Sequence, residues 1–127
     1  MTRARVVLTT VGTEEEANRI AHELVARRHA ACVNVLPGVE SVYRWKGKLC
    51  RDSEYVLVIK TLESELPGLE ETIRELHSYE LPEIIALPVE HVEEAFLSWL
   101  GDCLDKEAEF SDETEDGLAL NPDDNNF

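Results

Sequence analysis

Cations are scarce in this chain: twelve lysines and arginines stand against 27 aspartates and glutamates, a formal net charge of −15 over 127 residues. So acidic a surface repels phosphate backbones and anionic headgroups, which argues against nucleic acid and membranes as partners and favours cations. Cysteine is scarce too, and Cys32, Cys50 and Cys103 are odd in number with no Cys-x-x-Cys spacing. That pattern argues against a disulfide framework and a structural zinc site, leaving buried free thiols as the expectation. No apolar run approaches the roughly 20 residues that span a bilayer, and Met1-Thr2-Arg3-Ala4-Arg5 leads into no h-region or cleavage site. A cytoplasmic protein is expected.

Catalytic motifs are missing as well. His22-Glu23 begins like H-E-x-x-H, but Ala26 stands where the second histidine belongs. Gly12 precedes a helix-like segment, yet G-x-x-x-x-G-K is absent and Glu14, Glu15 and Glu16 would repel a phosphate there. No serine lies in G-x-S-x-G, and no spacing names a base for a cysteine. The expectation is a protein that is not an enzyme, with His22 and His29 on a solvated helix face.

What the chain does contain is well-patterned secondary structure. Residues 5–11 are β-branched and apolar, the composition of a buried strand, and Gly12 stops them. Thr13 with Glu16 three residues on is a capping box, and Ala17, Ile20, Ala21, Leu24 and Val25 recur at helical spacing, with an end near His29. Residues 31–45 and 49–61 read as two strands about a turn at Lys46-Gly47-Lys48, with a bulge at Pro37-Gly38. The run from Tyr55 to Ile59 is apolar throughout, as a strand covered on both faces would be. Leu66-Pro67 opens a second helix with Leu69, Ile73 and Leu76 as its stripe, residues 84–89 form a fourth strand, and Val92 to Leu100 a last helix ending at Gly101. Residues 105–127 hold nine acids against Lys106 alone and lack periodicity, so one domain over 1–104 with a disordered acidic tail is expected.

This order is the β-α-β-β-α-β pattern of a ferredoxin-like α+β sandwich, here with a long projecting hairpin and a C-terminal helix. Residues 49–61 would extend about 43 Å at roughly 3.3 Å per residue, against a radius of gyration near 13 Å for a domain of this size. Tyr43 and Trp45 lie toward the hairpin's outer end, so a symmetric partner that covers them is expected.

The segment His77-Ser78-Tyr79-Glu80-Leu81-Pro82-Glu83 gathers an imidazole, a phenol and carboxylates at a helix-to-strand junction. Imidazole nitrogen and carboxylate oxygen suit copper and zinc. The alternative is structural: Glu83 and Tyr79 bond a neighbouring chain or hairpin while His77 caps its helix. These residues, together with Ala31-Cys32-Val33-Asn34, Pro37-Gly38, Tyr43-x-Trp45-x-Gly47-Lys48, the strand from Glu54 to Lys60-Thr61, and Ser98-Trp99-Leu100, resemble the CutA family of divalent-cation-tolerance proteins. The resemblance implies a ferredoxin-like protomer in a tight homotrimer, tolerance of copper and other divalent cations, no required cofactor and no catalytic activity. Family metal sites include a first-strand cysteine, where this chain has Thr9, and in some members a further histidine, where it has Leu76. His77 and Glu83 match and are the metal candidates. Two other functions fit the same protomer. One is a P-II-like trimeric small-molecule sensor using Arg44, Lys46, Lys48 and Arg51; the other is a trimeric scaffold that anchors another protein.

Overall fold

Strand β1, Ala4–Val11, shows how the sheet is built: Val7, Thr9 and Val11 are fully buried while Val6, Leu8 and Thr10 are only partly so. Alternate side chains point to opposite faces of a strand, so one face of β1 is packed and the other is open. The computed structural model describes residues 2–108. Its sheet is antiparallel throughout, in the order β2-β3-β1-β4, with β2 at Cys32–Trp45, β3 at Lys48–Leu62 and β4 at Ile85–Pro88. Helices α1 (Glu14–Ala26) and α2 (Leu66–Leu76) follow β1 and β3, and α3 (Glu94–Cys103) ends the fold. The ferredoxin-like arrangement read from the sequence is the one observed.

Both helices that cross the sheet bury one stripe. Ala17, Ile20 and Leu24 of α1 and Leu69 and Ile73 of α2 join Val7, Val11, Leu57 and Ile59 in one core. Full burial of each large aliphatic side chain contributes about 1.5–3 kcal/mol. Helix α1 starts where Thr13 Oγ1 accepts the Glu16 N–H at 3.2 Å. It ends earlier than its periodicity suggests, because Arg28 takes a left-handed φ of 61° and turns the chain. His29 therefore lies beyond the helix.

The hairpin turns on Lys46 and Gly47, with φ of 50° and 80°, the paired positive values of a type I′ turn. Pro37 and Gly38 bulge between the pairs Leu36–Val56 and Val39–Glu54, with Gly38 at φ 72°.

Other expectations need correction. Residues 55–59 are not covered on both faces: Leu57 and Ile59 are fully buried, but Val56 and Val58 are only partly covered. The reason is that α3 reaches only the sheet's end, where Leu100 and Leu104 pack with Ala31 and Leu62. That packing also carries α3 past Gly101 to Cys103, outweighing the roughly 1 kcal/mol that glycine costs inside a helix. The three thiols are half-buried rather than buried.

Residues 105–108, assigned by composition to the tail, fold back on the domain. Arg28 Nη1 donates to the Asp105 carbonyl at 2.8 Å, and Lys106 Nζ pairs with Glu65 Oε1 at 2.9 Å. The rest of the expected tail, residues 109–127, lies outside the described residues. Among those described, no helix is long and apolar enough to cross a membrane.

Candidate functional site

At one end of the sheet the chain leaves β1 through Gly12, enters α1, and later leaves α2 at His77. His77 sits at the helix C-cap with extended backbone, its N–H bonded to the Ile73 carbonyl at 2.8 Å. Its side chain is fully enclosed. Nε2 lies 2.7 Å from the Thr10 carbonyl and must donate to it, while Nδ1 lies 3.1 Å from the Tyr79 nitrogen and accepts its N–H. An imidazole protonated at Nε2 alone satisfies both bonds. Glu16 Oε1 is also 3.3 Å from Nδ1, but its carboxylate accepts the Ser78 N–H at 2.7 Å and the Ser78 hydroxyl at 2.9 Å. We assign Nδ1 to the shorter Tyr79 bond, because a proton on Nδ1 would leave that N–H without its acceptor.

Tyr79 lies over His77, ring centroids 4.6 Å apart, and so close to Gly12 that a Cβ there would meet its hydroxyl at 3.2 Å. The hydroxyl donates to Glu54 Oε2 at 2.6 Å. Burial, and then that hydrogen bond, push the Tyr79 phenol well above its ordinary range, so it remains a donor. On the hairpin, Tyr43 donates to Asp52, and this bond is the main reason its phenol is raised to about 12.

Between these two tyrosines opens a cleft of about 430 Å³. Tyr43 and Trp45 wall it on the hairpin side, residues 78–81 and Glu83 on the other, with Thr10 between them. Lys46 at the turn reaches across its rim, with Nζ 5.6 Å from the Trp45 ring centroid and 3.8 Å from Glu80 Oε2.

The two candidate ligands are thus placed differently. Glu83 is exposed and borders the cleft, whereas His77 is enclosed with both ring nitrogens engaged and is not among the lining residues. Thr9 is fully buried on the helix-covered face of β1, and its Oγ1 has no hydrogen-bond partner among the described residues. Among the described residues, no three His, Cys, Asp or Glu side chains are grouped so as to hold a metal ion. His29 does not lie on a solvated helix face: it is half-buried, with Nδ1 3.2 Å from Glu65 Oε1. Glu16 and Glu54 were missed as parts of this site. Glu54 had a readable signal, an acid leading directly into an apolar strand, because a buried carboxylate needs a donor.

The family model described as CutA1 divalent ion tolerance protein matches residues 5–103. The chain is 47% identical over 95 residues to the divalent-cation tolerance protein CutA of Thermus thermophilus, covering 75% of this chain and 92% of that one. It is 45% identical over 95 residues to the chloroplastic protein CutA 1 of Oryza sativa, but spans only 54% of that protein's length. The solved CutA1 structure from Oryza sativa superposes with a TM-score of 0.78 at 42% identity, over 81% of this chain and 94% of that one. The family match over residues 5–103 and the similarity in both sequence and fold agree: this chain belongs to the CutA1 divalent ion tolerance protein family.

Proposed function

We propose that the protein acts without catalysis, as a homotrimeric module that binds or responds to divalent cations, with copper the first ion to test. The observation that carries the assembly is the open sheet face. Leu36, Ile85 and Leu87 are 44–47% exposed on it, and Val6, Leu8, Val56 and Val58 share that face by register and are only partly covered. A continuous apolar surface on a chain this acidic calls for a like surface to cover it, and closed symmetry supplies one. Tyr43 and Trp45 call for a partner less than their place in the sequence suggests, since their own chain already half covers them.

The cation role is supported by the relatives, which are named as divalent-cation tolerance proteins, and by Glu83 at the cleft. His77 can join Glu83 as a ligand only if residues 77–79 shift and release Nδ1 from the Tyr79 N–H. The test pairs light scattering with calorimetric titration of copper, zinc, magnesium and ATP. A trimer whose saturable copper binding is lost in Glu83→Gln supports the reading. A monomer at micromolar concentration refutes the assembly. Copper binding unchanged in both Glu83→Gln and His77→Ala refutes the site, and tight ATP binding would favour a P-II-like sensor.

A further inference from the structure

Three aromatic side chains meet at the cleft, Tyr43, Trp45 and Tyr79, each between 37% and 40% exposed. Both phenol oxygens are engaged by carboxylates, Asp52 and Glu54, so ring surface is what these tyrosines can offer a ligand. Donation to a carboxylate makes a phenol ring more electron-rich, which strengthens its attraction for a cation. Glu80 and Glu83 border the same space and supply negative charge.

The chain itself shows which chemistry this arrangement accepts. The Lys46 ammonium lies 5.6 Å from the Trp45 ring centroid and 3.8 Å from the Glu80 carboxylate. An alkylammonium is thus already held by one ring and one acid, on an exposed turn residue that can swing away. We propose that the cleft binds a small organic ammonium ion, a quaternary or alkylated amine, and that Lys46 occupies part of its position in the free protein. Hydration separates this ligand from a divalent ion. A metal such as copper is held by several directly coordinated atoms, and with both nitrogens of the one imidazole engaged only the Glu80 and Glu83 carboxylates are left to supply them. A quaternary ammonium is weakly hydrated and is recognised by ring faces together with nearby carboxylates. A volume of about 430 Å³ is within the range of small-molecule sites.

The inference goes beyond the divalent-cation reading, with which it shares Glu83, and the two fail separately because each is probed with its own ion. The full chain, with EDTA present, is titrated calorimetrically with choline chloride and with 3,3-dimethylbutan-1-ol, its neutral carbon isostere, at matched ionic strength. Choline should bind saturably, and the isostere at least about tenfold more weakly. Lys46→Gln should tighten choline binding by about five- to tenfold, since it removes the internal competitor, and Trp45→Leu should weaken it by about tenfold. Lys46 is 71% exposed at the side chain, so its replacement does not test folding. Equal binding of choline and the alcohol would reduce the cleft to an apolar groove and overturn the proposal. So would no choline binding by Lys46→Gln up to about 100 mM, or an unchanged affinity in that variant.

Discussion

Glu16 ties α1 to the segment that walls the cleft, and its replacement offers a direct measure of what holds that segment. Glu16 is 7% exposed, and its carboxylate accepts both the Ser78 N–H at 2.7 Å and the Ser78 hydroxyl at 2.9 Å. In Glu16→Ala the hydroxyl can turn to water, because Ser78 is exposed, but the part-buried amide loses a charged acceptor. A hydrogen bond to a charged group contributes about 1.5–3 kcal/mol, and alanine returns a few tenths through helix propensity. The net cost should be about 1.2–2.7 kcal/mol, a fall in Tm of about 5–20 °C for a domain of this size. Glu16→Gln keeps an acceptor oxygen and should cost about 1 kcal/mol. The assay is thermal and urea unfolding at one fixed protein concentration, since self-association makes Tm concentration-dependent. Hydrogen exchange at the Ser78 amide should accelerate in Glu16→Ala. If both variants melt within about 2 °C of the parent, or alanine is milder than glutamine, the carboxylate does not hold residues 77–79 in place.

The remaining predictions use contacts around this frame. A Cβ on Gly68 would lie 2.6 Å from His29 Cε1, so Gly68→Ala should destabilise, although the same change in an open helix gains up to about 1 kcal/mol. In a His29→Ala background it should stabilise, and a denaturation double-mutant cycle reads the reversal of sign. Tyr79→Phe leaves the buried Glu54 carboxylate without its donor and should cost about 2–3 kcal/mol, whereas Tyr43→Phe, whose partner Asp52 is exposed, should stay within about 0.5 kcal/mol. Equal losses in urea unfolding would contradict the burial argument. At Glu65, burial raises the carboxyl, but bonds from Lys106 and His29 outweigh it and hold the group below its usual range. A depressed acid contributes stability that is present above its unfolded pKa and lost as pH falls through the folded one. Lys106→Ala should therefore lower Tm slightly at neutral pH, by less than about 1 kcal/mol because the lysine is half-exposed, and the gap should close on acidification.

Much of the fold was legible because local rules and tertiary packing agree along most of this chain. Gly47 after Lys46 makes a two-residue turn, Pro37-Gly38 makes a bulge, and the stripes of α1 and α2 become one core. The errors fall where one long-range contact outweighs a local preference. Gly101 reads as a helix stop, but Leu104 has a site against Ala31 and draws the helix onward. Arg28 carries no signal for left-handed backbone, so the end of α1 could not be placed from periodicity. Residues 55–59 are uniformly apolar although one face is open, so their composition alone could not tell an open face from a covered one.

The site was legible as an inventory of groups and not as a set of free lone pairs, and that difference decides how His77 is to be understood. Sequence shows that an imidazole and a carboxylate lie six residues apart at a helix end, which suits a metal. Whether the imidazole can ligate depends on two backbone groups, the Thr10 carbonyl and the Tyr79 N–H, and only the fold brings them to its two nitrogens. Glu16 makes the same point from the other side. Thr13 does cap α1, so that half of the capping box is real, but the Glu16 carboxylate that the motif would send back to Thr13 crosses to Ser78 instead. Side chains recruited in this way hold Tyr79 by its backbone and by its hydroxyl, leaving its ring at the cleft. The groups left over for chemistry are then ring faces and exposed carboxylates. A cation that needs no direct nitrogen ligand can use them as they stand, whereas a metal that takes His77 must first break a hydrogen bond inside a closed site.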